Sequence, residues 1–208
     1  MSKKFELTAE TKTLFGRTLY RIRALIAFGD VEVGELGGWI EKEENLSQEG
    51  DAWVYGDAWV YDDAWVYDDA WVCGNARVYG NAEVYGNARV YGDARVYGDA
   101  RVCGNAWVYD DAWVCGNARV YDDARVYGNA EVTKPTHLFQ IGAIGSRDGF
   151  TTFVRSKTKR ILVACGCFRG TIAEFEARVK EVHAGTKHEK TYLAAIELAK
   201  LQMEDVEV

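Results

Sequence analysis

Three histidines, His137, His183 and His188, and the pair Cys165 and Cys167 are the side chains of this 208-residue sequence best suited to act as a general base, a nucleophile or a soft metal ligand near neutral pH. In "CGCF" the two thiols project to the same side of a regular strand, and a Cys-x-Cys pair joined by His183 is a zinc ligand set in outline. It lacks the paired Cys-x-x-Cys spacing of structural zinc sites, so the expectation is no metal, with Cys165, Cys167 and His183 as the candidate ligands if one binds. The same thiols with His183 as base would form a nucleophilic pair. Arg155, Lys157, Lys159 and Arg160 straddle a predicted hairpin and offer a grip for phosphate; a solvated turn has the same composition. "IGSRDG" is not a P-loop and "GELGG" precedes no helix, so no nucleotide fingerprint is present and no cofactor is expected.

The candidate His, Cys, Arg and Lys residues all lie beyond residue 134. Before them runs a different kind of sequence: fourteen hexads from Gly50 to Thr133, of consensus Gly-Asn/Asp-Ala-x-Val-Tyr, without insertion. Ala and Val stand two apart and face the same side of a strand, while the residue between them and the Tyr after Val face the other. Gly-Asn or Gly-Asp supplies the corner, because these residues tolerate positive φ. Three hexads make one coil of a triangular prism, and eighty-four residues make four to five coils.

The spacing in "VYGNARVYGDA" resembles the hexapeptide repeat of left-handed parallel β-helix proteins, and the left hand is implied by that resemblance alone. Many members of that family are acyltransferases, in which a His from a loop interrupting the coils acts as general base and coenzyme A lies between the subunits of a trimer. This sequence departs from them: no His precedes His137, and no loop interrupts residues 50–133. The whole layout, including "RTLYRIRAL", "GELGGWIEKEENLSQEG", "CGCFRGT" and "YLAAIELAK", is also similar to uncharacterised proteins of bacteriophages and prophages.

Every eighteenth residue shares a prism face. The first face reads Trp53, Trp71, Arg89, Trp107, Arg125; the second Trp59, Arg77, Arg95, Trp113, Glu131; the third Trp65, Glu83, Arg101, Arg119. Trp and Arg stacked in this way stabilise a coil through cation–π contact. Six outward Trp also exceed what a monomer usually exposes, which makes the first face, with three of them, the expected partner or self-association surface.

The predicted architecture is mainly β: an N-terminal β cap (1–43), the hexapeptide-repeat β-helix (44–133) and an α+β domain of three strands and two helices (134–208). Ile40 and Leu46 lie twelve and six residues before Ala52, in the inward Ala register. Thr171 with Glu174 and Thr186 with Glu189 fit capping boxes. The five Cys are odd in number and three replace repeat Tyr, which reads as reduced thiols. The net charge of −7 divides as −2 over residues 1–49, −8 over 50–133 and +3 over 134–208. An acidic coil disfavours direct nucleic-acid binding unless it imitates nucleic acid, through pairs such as Asp62-Asp63 and Asp110-Asp111. No apolar run has the length of a membrane span and "MSKKFELTAE" has no signal core, so the expected location is cytoplasmic.

These features point to a non-catalytic binding or scaffold protein, a homotrimer by analogy with its structural relatives. The phage likeness makes a host protein or a small nucleotide-like host signal the expected target, with an anti-defence, inhibitory role. Acyl transfer at subunit clefts and nucleic-acid mimicry are the alternatives.

Overall fold

The computed structural model describes residues 3–203 and 205–207. Two antiparallel strands, β1 (Phe5–Leu14) and β2 (Arg17–Ala24), open the chain and pair onward to β3 (Leu36–Ile40). Fourteen short strands follow, one per hexad: β4 (Trp53–Val54), β5 (Trp59–Val60), β6 (Trp65–Val66), β7 (Trp71–Val72), β8 (Arg77–Gly80), β9 (Glu83–Val84), β10 (Arg89–Val90), β11 (Arg95–Gly98), β12 (Arg101–Val102), β13 (Trp107–Val108), β14 (Trp113–Val114), β15 (Arg119–Val120), β16 (Arg125–Val126) and β17 (Glu131–Val132). They stack in parallel on three faces, β4-β7-β10-β13-β16, β5-β8-β11-β14-β17 and β6-β9-β12-β15, with like residues in register, as in Val90 beside Val72 and Val108. The protein is a β-solenoid of about five turns. Hexad sequence sets this shape directly, since every repeat Ala and Val is buried inside the prism. Burying one such Val stabilises the fold by roughly 1.5 kcal/mol.

At the corners the backbone takes positive φ, as at Gly74 (70°) and Gly92 (73°), and Asp stands in the same conformation at 62, 68, 110 and 122. An Asp there adds a bond that Gly lacks: Asp110 Oδ2 accepts from the Gly128 N–H of the next turn at 3.1 Å. Beside the corners, Asn75, Asn81 and Asn105 donate to Asp93, Asp99 and Asp123 one turn later at 2.9–3.3 Å, a side-chain ladder along the coil.

A parallel stack turns alternate peptide groups toward the turns above and below, so its two ends are left with unpaired groups that must be covered. At the first turn, carbonyls face down with no turn beneath. On one face β3 supplies backbone donors, Trp39 N to Ala58 O and Glu41 N to Val60 O. On the next, after a 3-10 turn (Glu43–Asn45), the Asn45 side chain donates to Asp62 O and Ala64 O. On the third, the Lys4 ammonium is buried and donates to Glu49 O, Gly50 O and Ala52 O at 3.0–3.3 Å. Phe5, Ile22, Val31 and Trp53 close the apolar interior at this end.

The coil register therefore begins at β3, inside the expected cap. Ile40 and Leu46 are inward, but they pair with Val60 and Val66 and so occupy Val rather than Ala positions. The reason is a bend: Leu46 and Val54 are eight residues apart instead of six. Gln48, in that bend, accepts from the N–H groups of Lys4 and Phe5 at 2.7 and 3.3 Å.

The C-terminal domain covers the other end. After a second 3-10 turn (Pro135–His137) its sheet runs β18 (Leu138–Ile144), β19 (Gly149–Arg155), β20 (Ile161–Cys165) and β21 (Phe168–Thr171), all antiparallel. The expectation was three strands; Gly166-Cys167 turns the segment "RILVACGCF" into a hairpin, because Gly166 takes φ of 55°. Leu138 and Val154 plug the coil, Thr152 Oγ1 accepts the Arg125 N–H at 3.3 Å, and His137 Nδ1 accepts that of Thr133 at 3.3 Å. Helices α1 (Ile172–Val182) and α2 (Lys187–Gln202) pack against the sheet through Phe175, Val179, Tyr192 and Ile196. Thr171 and Glu174 form the full capping box; at α2, Thr186 accepts from Glu189 N, but the Glu189 carboxylate accepts from Gly185 N rather than from the cap itself. No described helix is long and apolar enough to cross a membrane.

Burial, set against attraction to Asp51 and Asp69, pushes the Lys4 ammonium down to about 8 from its ordinary 10.5. Between those values the unfolded chain holds the proton and the folded chain does not, so stability rises with pH. Above about 9 the trend is opposed, since burial pushes the Cys73 and Cys115 thiols up and the Tyr55 and Tyr61 hydroxyls up to about 12, and the unfolded chain loses those protons first. Denaturant melts should therefore show stability climbing from about pH 8 to about 9, and Lys4→Met should flatten that climb. The same substitution should cost about 2 kcal/mol at pH 7, by leaving the end carbonyls without their donor.

Candidate functional site

The first prism face is occupied by its own side chains. Trp53 is fully buried, its ring edge-on to Phe5 (6.2 Å) and Phe28 (5.3 Å), so it is not part of any exposed surface. Above it the Trp and Arg residues interleave: Arg89 lies 4.8 Å from the Trp71 ring centre and 5.6 Å from Trp107, and Arg125 lies 3.8 Å from Trp107. Of the expected triple-Trp face, Trp53 alone is corrected: periodicity places it outward, but the cap buries it. Trp71 and Trp107 stay partly exposed, with arginines over their rings.

The second face follows the same rule. Lys12 sits over Trp39 (4.1 Å), Arg77 over Trp59 (4.8 Å), and both Arg95 (5.1 Å) and Lys157 (4.0 Å) over Trp113. Corner tyrosines stack as ladders, Tyr61–Tyr79–Tyr97 at 4.9 Å per step and Tyr91–Tyr109 at 5.0 Å.

The basic run at 155–160 is largely used in attaching the domain to the coil. Arg155 is buried and pairs with Glu131 at 2.5 Å, and Lys157 donates to Asp111 O at 2.8 Å. Lys159 holds positive φ in the turn, and beside it Arg160 forms a parallel bridge to Glu207. Only Lys159 and Arg160 of the four are exposed, so the run does not present a four-cation phosphate grip.

The remaining candidates converge. A cleft of about 320 Å³ opens between the β18–β19 turn, the β20–β21 hairpin and the paired helices. Phe168, Phe175, Val179 and Tyr192 form its apolar walls, Phe150 and Val182 stand exposed at its mouth, and Arg147, Arg178, His183 and Cys167 rim it. Cys165 lies within: its thiol receives the Thr151 hydroxyl at 3.2 Å and donates to the Tyr192 oxygen at 3.7 Å. Burial, and secondarily the hydrogen bond with Cys165, pushes the Tyr192 hydroxyl up to about 12. The His183 ring lies 5.5 Å from Tyr192 and 5.9 Å from His188. Cys165, Cys167 and His183 thus line one cleft, yet among the described residues no three His, Cys, Asp or Glu side chains are grouped to hold a metal ion. His137 is elsewhere, buried at the coil end, where burial and the Arg155 and Lys134 charges push its imidazole down.

Sequence reasoning found Cys165, Cys167 and His183 by residue type. It missed Arg147, Phe150, Phe168, Arg178 and Tyr192 as cleft residues. Those residues come from a turn, two strands and both helices, with no shared spacing that would mark them.

A family model for the YdcK β-solenoid repeat matches residues 70–133 in seven overlapping copies. Over 37 residues the chain is 49% identical to the "Uncharacterized acetyltransferase YdcK" of Escherichia coli (strain K12), a stretch covering 18% of this chain and 11% of that protein. The chain thus spans only about a tenth of that relative's length.

If the Trp–Arg rungs stabilise the coil, a double-mutant cycle at Trp107 and Arg125 should report coupling of about 1 kcal/mol in thermal or denaturant unfolding. Substituting Arg125→Ala after Trp107→Ala should then cost clearly less than substituting it in the intact protein.

Proposed function

We propose that this chain is a non-catalytic binding protein, its solenoid a rigid mount and its C-terminal cleft the place where a small ligand is held. The observation that carries this reading is the cleft itself: aromatic and aliphatic walls, two arginines at the rim, and a volume of about 320 Å³ at the lower end of small-molecule pockets. An apolar or aromatic body with a carboxylate, sulfonate or phosphate group matches that lining. Arg147 makes no ion pair among the described residues, whereas Arg178 is paired with Glu181 at 2.7 Å, so Arg147 is the cation proposed to meet the anionic group. The likeness to phage and prophage proteins makes a host signal molecule, or a host protein presenting such a group, the target we favour, with sequestration as the outcome.

Acyl transfer is the second reading, prompted by the printed name of the YdcK relative. Against it, the hexads contain no imidazole. The Tyr192 hydroxyl, pushed up to about 12, stays protonated near neutral pH and does not supply a base.

Titration with 1-anilinonaphthalene-8-sulfonate, an aromatic sulfonate, tests the cleft. Binding in the range of about 10 μM is expected, weakened about tenfold by Phe150→Ala and comparably by Arg147→Gln. Both residues are exposed, so the melting temperature should hold. Unchanged binding in both variants, or turnover of acetyl-coenzyme A by the native protein, would overturn the proposal.

A further inference from the structure

The third prism face differs from the other two. Its outward column reads Trp65, Glu83, Arg101, Arg119 from the first turn to the last, the four held in register by parallel pairing of β6, β9, β12 and β15. Among the described residues, Trp65 is the one repeat Trp that is both solvent-accessible and without a cation over it: it is 45% exposed and stacks on its neighbour Tyr67. Glu83 and Arg101, in the middle, pair at 3.2 Å with both side chains partly exposed. Arg119 is exposed and, among the described residues, has no ion pair, side-chain hydrogen bond or ring partner. The face thus has an aromatic ring lacking a cation at one end and a cation lacking a ring at the other.

Read in reverse, the column is its own complement. A two-fold axis passing between β9 and β12, perpendicular to the coil, sets Trp65 against Arg119 of the second copy and Glu83 against Arg101 of the second copy, and repeats both contacts by symmetry. We infer that this face is an isologous, antiparallel interface between two copies of the chain.

The flanking surfaces agree in shape and charge. At the first-turn end a concavity beside Trp65 is lined by Glu43, Glu44, Glu49 and Asp63. Lys3 and Lys42 neutralise Glu43 and Asp63, leaving Glu44 and Glu49 to meet a cation. At the last-turn end a groove is lined by Arg101, Arg119, Tyr85 and the exposed Tyr121, with Leu138 at its base. An antiparallel pair seats the acidic end on the basic end twice. A three-fold arrangement with parallel coils places like ends level, Trp65 by Trp65 and Arg119 by Arg119, which is why the two-fold assembly is the one inferred. On the other two faces Trp59, Trp71, Trp107 and Trp113 have their cations already and Trp53 is buried, so neither face offers a comparable deficit.

Four stacked short strands make a small contact, below the roughly 800 Å² per partner of a standard stable interface, so dissociation in the range of about 10 μM is expected. Sedimentation equilibrium from about 1 μM to about 500 μM should show the 23.3 kDa chain passing from monomer to a species of twice that mass. Trp65→Ala should weaken association at least tenfold, as should Arg101→Glu or Glu83→Arg alone. The combined variant, with both charges exchanged, should recover association because every pair across the axis is restored in reverse. Trp71→Ala on the first face should leave the dimer unchanged, with far-UV circular dichroism confirming that each variant is folded. A monomer throughout the range, a trimer, a dimer indifferent to Trp65→Ala and Arg101→Glu, or failure of the combined variant to recover would each overturn the inference.

Discussion

A stack of parallel coils satisfies its backbone only in its interior, and the peptide groups at its two ends decide what else the chain must contain. At the first turn the unmet groups are carbonyls, so the chain brings donors: a strand, the Asn45 amide and the buried Lys4 ammonium, one device for each face. At the last turn backbone donors need partners, and the C-terminal sheet lays Thr152 and His137 against them while Leu138 and Val154 fill the bore. The buried lysine follows from this geometry. Three carbonyls converging on one point can be served by an ammonium with three protons, and the burial that lowers its proton affinity is the cost of that arrangement.

The same economy of partners runs along the outside. Repetition puts Trp and Arg at equivalent positions in successive turns, and their rise of about 4.8 Å matches the separation at which a guanidinium covers a ring. Most outer rings on two faces are therefore met from within the chain. A surface that looks adhesive in a list of residues is consumed by its own neighbours, and binding is left to places where the repeat pattern breaks: the non-repetitive cleft of the C-terminal domain, and the third face, where the column runs out of alternating partners.

The hexad period made the coil legible because one physical requirement, a small and an aliphatic residue inward with a corner every six, is written fourteen times. Face membership was legible for the same reason, down to which Trp follows which. Exposure was not. Trp53 obeys the outward pattern and is buried, because the residues that cover it, Phe5 and Phe28, belong to a segment with no periodic relation to the coil. The first-turn register was missed because Gln48 and its neighbours add two residues in a bend that leaves no signature in composition. In the C-terminal domain the strands and the first capping box were visible locally. The cleft was not, since Phe150, Cys165, Phe175 and Tyr192 become neighbours only when the hairpin and helices close on one another. The basic run at 155–160 shows the converse error: charge in sequence suggested a ligand, and two of the four cations are engaged with the coil.

The central claim is that the outer Trp of the first two faces are structural, while Trp65 alone is left for an encounter. Hydroxyl-radical footprinting of the native protein, read by mass spectrometry at each Trp, measures this directly. In dilute solution Trp65 should oxidise fastest of the repeat tryptophans and Trp53 slowest. As concentration rises Trp65 alone should become protected, with Trp71, Trp107, Trp59 and Trp113 unchanged. Fast oxidation of Trp71 and Trp107, or protection of those residues in place of Trp65 at high concentration, would contradict the account.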